Sequence, residues 1–347
     1  MGPAMRATSR PIISPGAAAR YFPLPLLTYL AMQLALLLFA AIPQVTFTPP
    51  VYVSPTSVTG PQIWVSPLGG VPWKEAAARM NVLANMLLFV AAALALLAKT
   101  VGDVMRLFDL TSRLVALLAA GATALLGIVT VLPGTIGLIP RYRSLLGSEL
   151  FSRAAQRFAN SFWGTGTFET IAAIMDVATT VAAFCLLLQM VSCAGRFSGI
   201  SETDSWKFQA DRLKFYTYIA STFMIVGILT SRAWMSYPEF MLTDAQAVAF
   251  RSAVNGFSTY LGVAYSLIIG SVAIPVAYDL YRSANQIVGQ SLDPPLPPGA
   301  VPFHSVLLDG ARRKSGLLVT PQDVLKTIAA VLGPFAAGTV SGFPVFG

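Results

Sequence analysis

Charged residues are scarce in this sequence: Lys, Arg, Asp and Glu together make up 11% of its 347 residues. Soluble domains carry about a quarter of their residues as charges, so this composition excludes an ordinary soluble globular protein. Apolar residues reach 55%, and several uncharged stretches are long enough to cross the roughly 30 Å hydrocarbon core of a bilayer. Because unpaired backbone amides are costly in lipid, these stretches are expected to be helices.

Histidine and cysteine are almost absent. The one histidine, His304, lies near the C-terminus, which excludes bis-histidine haem and multi-histidine metal sites inside the membrane. The two cysteines, Cys185 and Cys193, fall on one predicted helix and cannot form a disulfide framework. Cys193 is a palmitoylation candidate, with an unmodified thiol as the alternative. No phosphate loop, zinc motif or nucleophile elbow is present, so we expect no enzyme, metal or cofactor.

Carboxylates are missing from the first part of the chain, where the earliest is Glu75. The N-terminal segment 1–23 is therefore basic, as in an organellar presequence or in a positively charged tail ahead of a first membrane span. We favour the tail. The net charge of +8 comes from Lys and Arg scattered between apolar stretches, which favours contact with membrane lipids and not with nucleic acid.

Apolar runs predict a polytopic, all-α bundle over residues 24–282. Six spans are expected, at about 24–44, 80–98, 114–139, 168–192, 214–235 and 257–279. If the N-terminus is cytoplasmic, 15 of the 23 Lys and Arg residues lie on the inner side. This asymmetry predicts that both tails of the chain are cytoplasmic.

The loop at 45–73, after the first predicted span, is rich in proline and aromatic residues. Short extended segments are expected there. Trp64 and Trp73 fit the role of membrane anchors at the outer interface. Contact with a partner protein is the alternative, because ordered loops often carry recognition.

Two pairs of similar segments suggest a duplicated helical hairpin. The string Phe151-Ser-Arg-Ala154 lies 99 residues before Phe250-Arg-Ser-Ala253. Likewise, Leu126-Gly-Ile-Val-Thr130 lies 100 residues before Val226-Gly-Ile-Leu-Thr230. Duplication explains both offsets, while chance similarity between apolar segments is the competing explanation.

Residues 283–347 are expected to form a separate tail. A proline-rich linker leads to the basic segment Arg312-Arg313-Lys314 and then to a helix that stops at Gly333-Pro334. One face of this helix is apolar, as on helices that lie on anionic lipid or on a partner protein. The members of that face include Val324, Leu325 and Ile328.

The strongest polar signal inside a predicted span is Asp176, with Glu169 two turns earlier on the same helical face. Carboxylates at such depth are costly and mark candidate functional sites. One hypothesis is a cation or proton relay. The favoured hypothesis is an interhelical tether, to Arg232 or to hydroxyls such as Thr217 and Ser221.

Two functions fit these patterns. The first is a structural or scaffold protein of a larger membrane assembly, without catalytic activity. It would bind other membrane or cytoskeletal proteins and would self-associate through small-residue helix faces. The second is a small-solute or ion transporter or channel that uses Asp176.

In size, six spans, cytoplasmic tails and lack of catalytic residues, the chain resembles the six-span glideosome-associated membrane proteins of apicomplexan parasites. This resemblance implies a scaffold in the flattened sacs beneath the plasma membrane, tied to the cytoskeletal network. It covers layout only and assigns no residue a role. Accessory subunits of organellar inner-membrane complexes share the same layout.

Overall fold

The computed structural model describes residues 12–13, 73–107, 146, 150–154, 167–193, 197–198, 201–290 and 321–340. Its main elements are five helices: α1 Trp73–Leu107, α2 Thr167–Ser192, α3 Glu202–Ser236, α4 Asp244–Gln290 and α5 Pro321–Val340. A 3-10 turn, Tyr237–Met241, joins α3 to α4. The strands β1, Ile12–Ile13, and β2, Phe197–Ser198, pair antiparallel. Apart from that short pairing, the described part of the chain is helical, as predicted.

Three helical stretches are long and apolar enough to cross a membrane: Glu75–Arg106, Glu202–Met241 and Ala245–Gln290. They contain the second, fifth and sixth predicted spans, which confirms the prediction of membrane-spanning helices at this coarser level. Helix α2 matches the fourth predicted span. The predicted spans 24–44 and 114–139 and the loop at 45–73 lie outside the described residues, so the count of six stays a prediction.

Contacts near the two ends of the bundle define how α1 and α3 run. We call the end that carries Lys99 the inner end. There, Tyr216 of α3 donates a hydrogen bond to Asp103 of α1. Near the other end, the Thr230 hydroxyl of α3 donates to the Asn85 carbonyl of α1 at 3.2 Å. The two helices are therefore antiparallel.

Helices α2 and α4 also run towards the inner end. The Trp206 indole near the start of α3 donates to the Leu280 carbonyl of α4 at 2.6 Å, so α3 and α4 are antiparallel. Arg212 of α3 donates to Gln189 near the end of α2 at 2.9 Å. Helices α1, α2 and α4 are therefore parallel to one another, and α3 is packed among them.

The buried apolar residues form a main cluster along the helices and smaller clusters at the outer end. In the main cluster, Phe89 of α1 and Phe223 of α3 have ring centroids 4.9 Å apart. One outer cluster brings Phe151 and Phe250 together with Met235. The two matched segments of the suspected duplication therefore meet, although the duplication itself stays a prediction.

Helix α5 packs along α3 and α4. Its contact with α4 follows small residues spaced four apart, and we call this contact the small-residue seam. On α4 the seam consists of Ser258, Gly262, Ser266 and Gly270. A Cβ atom added at Gly262 would lie 2.6 Å from the Pro334 carbonyl oxygen of α5. Similarly, a Cβ at Gly338 would lie 2.6 Å from the Ser258 carbonyl oxygen. Only glycine permits this backbone approach.

The course of α5 differs from the sequence-based expectation of a tail outside the bundle that stops at Gly333-Pro334. The helix continues through Pro334 to Val340. Proline removes a backbone donor from the helix, but the next N–H, of Phe335, donates to Ser266 Oγ of α4 at 3.1 Å. Gly333 also packs against Ser221 of α3. These tertiary contacts offset the local tendency of Gly-Pro to end a helix.

The seam makes a prediction about two glycines on α4. Gly262→Ala should lower the free energy of unfolding by about 1–3 kcal/mol, the usual range for overpacking, because the new methyl group would overlap the Pro334 carbonyl. Gly256 has no atom within 4 Å of an added Cβ. Gly256→Ala is therefore the matched control, and helix propensity favours it slightly. Thermal unfolding of the two variants in detergent would measure the difference, and an equal effect would contradict the seam.

Candidate functional site

A group of buried polar side chains joins three helices at the inner end of the bundle. It lies at the inner limit of two uncharged stretches, which cover residues 80–98 of α1 and 215–231 of α3. Its members are Asp103 of α1, Gln189 of α2, and Arg212 and Tyr216 of α3, and we call them the ionic cluster. Charges removed from water need partners within the protein, and the geometry of the cluster supplies them.

Asp103 has partners at both carboxylate oxygens. Its Oδ1 accepts a hydrogen bond from Lys99 Nζ at 2.7 Å. Its Oδ2 accepts from the Tyr216 hydroxyl and lies 3.9 Å from Arg212 Nη1. Only 8% of Asp103 is exposed, so these three groups replace water around the carboxylate. The result is an ion pair between α1 and α3 that is closed within the protein.

Arg212 extends this connection to α2. Its Nη2 donates to Gln189 Oε1 at 2.9 Å and to Ser192 Oγ at 3.1 Å. The guanidinium carbon also lies 5.2 Å from the centroid of the Tyr216 ring, within cation–π range. With 8% of its surface exposed, Arg212 links α1, α2 and α3 at a single point.

Two donors in the cluster have no hydrogen-bond partner within the described part of the chain. They are Arg212 Nε and Gln189 Nε2, and both are buried. A buried unsatisfied donor costs about 1–3 kcal/mol, and internal water commonly fills such positions. The arrangement favours a small acceptor there, such as a water molecule or an anion.

Cys193 lies beside the cluster, just after α2. Its surface is 0% exposed, and its Sγ donates to the Gln189 carbonyl at 3.3 Å. Burial raises the pKa of the Cys193 thiol to about 11, against the opposing effect of Arg212. Acylation needs an accessible thiolate, and this conformation provides neither access nor ionisation. Lipidation at Cys193 stays a prediction that would require local opening.

The residues of the predicted relay or tether are not brought together by any described contact. Asp176 and Glu169 lie on α2, and their side chains fall outside the described residues. Arg232 is half buried on α3, with Glu239 as an electrostatic neighbour. Ser221, one of the suggested hydroxyl partners, packs against α5. Both the relay and the tether therefore stay predictions.

The predicted surface contacts fall partly on α5. Leu325 and Ile328 are exposed there. Trp73 begins α1 and Val324 lies on α5, but their side chains fall outside the described residues. The remaining members of this set also lie outside them, namely Trp64, Arg312, Arg313 and Lys314.

The ionic cluster was not predicted from the sequence. Lys99 and Arg212 are two of the 15 Lys and Arg residues that were expected on the inner side, and Asp103 was not a candidate site residue. The spacing of Lys99 and Asp103, four residues apart, is a recognisable helical ion pair. The hydrogen bond between Asp103 and Tyr216 joins residues 113 positions apart, and no local sequence pattern predicts it.

An apolar cavity of about 500 Å³ lies between α3, α4 and α5, also near the inner end. Leu213 lines it, although its neighbour Arg212 belongs to the ionic cluster. None of the four cluster residues borders the cavity. The two features therefore occupy different sides of α3.

No known protein family, curated protein or solved structure matches this chain. The resemblance in layout to glideosome-associated proteins accordingly stays a prediction. Within the described ranges, no three His, Cys, Asp or Glu side chains group as metal ligands.

The cluster predicts unequal effects of removing its charges. Asp103→Asn leaves Arg212 buried without its ion-pair partner, and losing one partner of a buried pair costs about 3–5 kcal/mol. Lys99 is the matched control, because 47% of its side chain is exposed. Lys99→Gln should cost no more than about 1 kcal/mol. Unfolding in detergent measures both, and an Asp103→Asn variant as stable as Lys99→Gln would contradict the role given to the cluster.

The cluster also predicts coupling between its charges. In the double variant Asp103→Asn/Arg212→Gln, no lone charge is left buried. The double variant should therefore lose less stability than the two single variants lose in sum. A double-mutant cycle built from these three variants measures the interaction between the two side chains. The same unfolding experiment measures this, and strict additivity would show that the two side chains do not interact.

Proposed function

We propose that this chain is a structural integral membrane protein, a helical scaffold within a larger membrane assembly. The observation that carries this proposal is the closure of Asp103, whose two carboxylate oxygens are both engaged by protein groups. A carboxylate that conducts an ion must exchange its ligands with a pathway, whereas this one holds α1 and α3 together. The cluster therefore supports a role in shape and assembly.

The outward side of α5 is the surface that we propose for partners. Five large apolar side chains are exposed there, Leu325, Ile328, Leu332, Phe335 and Val340, together with one exposed charge, Lys326. The opposite side of α5 is fixed against α3 and α4, so the outward side is presented by a rigid support. Neighbouring membrane helices, including those of further copies, pack on such surfaces.

Native mass spectrometry of the particle extracted in mild detergent tests this function. We expect the chain in a stable assembly with other proteins or with copies of itself. Leu325→Ala/Phe335→Ala should release partners while leaving the bundle folded, because both side chains are exposed. Leu87→Ala/Leu94→Ala on α1 is the matched control, with two exposed leucines on another helix. A lone wild-type monomer would contradict the scaffold proposal.

The helix directions support the two predicted spans that lie outside the described residues. Leu107 ends α1 at the inner end, and Thr167 begins α2 at the outer end, which is compatible with a span at 114–139. The pairing of Ile12–Ile13 with Phe197–Ser198 puts β1 near the inner ends of α2 and α3. Trp73 begins α1 at the outer end, which is compatible with a span at 24–44.

We further propose that α5 is a seventh crossing element. Val331 of α5 packs near Gly270, whereas Gly338 packs near Ser258, closer to the outer end of α4. The helix therefore runs outwards, parallel to α3. In this proposal the end of α5 faces the outer side, which replaces the expectation that both tails are cytoplasmic.

Cysteine labelling tests the direction of α5. Both native cysteines are buried, so single cysteines added at exposed positions can be read with a membrane-impermeant maleimide. Val340→Cys should label from the same side of the membrane as Ala245→Cys at the start of α4. It should label from the opposite side to Lys207→Cys at the start of α3. Labelling of Val340→Cys together with Lys207→Cys would contradict the seventh crossing.

A transporter or channel is the second candidate function. The observation that favours it is the pair of buried donors that have no partner among the described residues, Arg212 Nε and Gln189 Nε2, which would suit a transient anion. Reconstitution in liposomes tests this candidate through anion and proton flux. Flux that is lost in Arg212→Lys, with the fold retained, would support transport over the scaffold.

A further inference from the structure

The apolar cavity opens at the side of the bundle. It is lined by Trp206 and Leu213 of α3, Ala277 and Leu280 of α4, and Ile328 and Val331 of α5. Its volume of about 500 Å³ falls within the range of about 300–1,000 Å³ that is usual for ligand sites. Ile274, Tyr278 and Ile328 line it and are also exposed. The rim therefore belongs to the apolar outer surface of the bundle.

The cavity exists because α5 approaches α4 unevenly. In the outer half, glycines of the small-residue seam bring the two backbones into contact. In the inner half, the four-residue spacing of the seam continues with the large side chains of Ile274 and Tyr278, which line the cavity beside Ala273 and Ala277. The space between the helices is therefore narrow, apolar and open at the side, which suits a long hydrocarbon chain.

Positive charge accompanies the cavity at its inner end. Lys214 lines it, and Lys207 lies seven residues earlier on the same face of α3 and is exposed. On α4, the exposed Arg282 lies one turn after Tyr278. Lys326 of α5 is a further exposed cation, next to Thr327 of the lining. Four acids lie nearby: Glu202 and Asp211 are exposed, Asp204 is engaged by Ser201 at the start of α3, and the half-buried Asp279 has an interaction within the protein.

Over the inner ends of α1, α3, α4 and α5 together, seven Lys and Arg residues face six Asp and Glu residues, which leaves an excess of one cation. Clusters of Lys and Arg at a membrane surface attract anionic lipid headgroups. Each Lys or Arg side chain raises the affinity for the anionic lipid several-fold. An apolar cavity with a cationic inner end is complementary to an anionic lipid.

We propose that the cavity is a binding site for an anionic phospholipid of the inner leaflet. One acyl chain occupies the space between α3, α4 and α5. The phosphate lies near Lys207, Lys214 and Arg282. The site shares Ile328 and Leu332 with the proposed partner surface, but lipid binding requires neither a partner protein nor the ionic cluster.

Fluorescence quenching of Trp206 tests the proposal in the full-length protein. The protein is reconstituted with phosphatidylglycerol or phosphatidylcholine that carries bromine on the acyl chains, at matched mole fractions. The fluorescence of Trp206 is obtained as the difference between the emission of the wild type and that of Trp206→Phe. Half-quenching of this fluorescence should need about fivefold less phosphatidylglycerol than phosphatidylcholine, the preference expected from one surface cation.

Matched variants separate the site from general lipid contact. Lys207→Gln/Arg282→Gln should remove the preference for phosphatidylglycerol. Arg251→Gln changes an exposed cation near the outer end and should retain it. Ala277→Phe fills the cavity and should abolish the preference without altering the surface charge. Equal quenching by the two lipids in the wild type, or a preference that survives in Lys207→Gln/Arg282→Gln, would overturn the proposal.

Discussion

The architecture of the described bundle depends on the contact between the backbones of α4 and α5. Helices surrounded by lipid gain little from the hydrophobic effect, so their association relies on close packing and on polar contacts. At Gly262 an added Cβ would lie 3.1 Å from Phe335 Cα and 2.6 Å from the Pro334 oxygen. This contact fixes the direction of α5, and the separation of the same helices further inwards creates the cavity.

The remaining helices are joined by the main apolar cluster and, at the inner end, by charge. Arg212 and Asp103 link α1, α2 and α3 at the inner end, where the uncharged stretches give way to charged residues. In that position the cost of removing charges from water is lower than at the centre of the bilayer. The seam and the ionic cluster therefore stabilise different parts of one bundle.

Local sequence patterns predicted the helices better than their partners. The apolar runs found α3 and α4, because hydropathy and length alone identify a span. The end of α5 was predicted incorrectly, since Gly333-Pro334 stops a helix unless tertiary contacts compensate. The four-residue spacing from Ser258 to Gly270 is visible in the sequence, but no local pattern shows that α5 is the helix that packs on it. The Asp103–Arg212 pair likewise depends on the packing of distant helices.

The most direct test of this account is a disulfide between α4 and α5 in native membranes. A Cβ at Gly270 would lie 3.5 Å from Val331 Cγ1, so Gly270→Cys/Val331→Cys should cross-link on mild oxidation. With a protease site inserted between 291 and 320, the two fragments should stay joined after cleavage. Gly270→Cys/Leu325→Cys is the control that should separate. Separation of the first pair, or cross-linking only between chains, would contradict the packing of α5 within its own bundle.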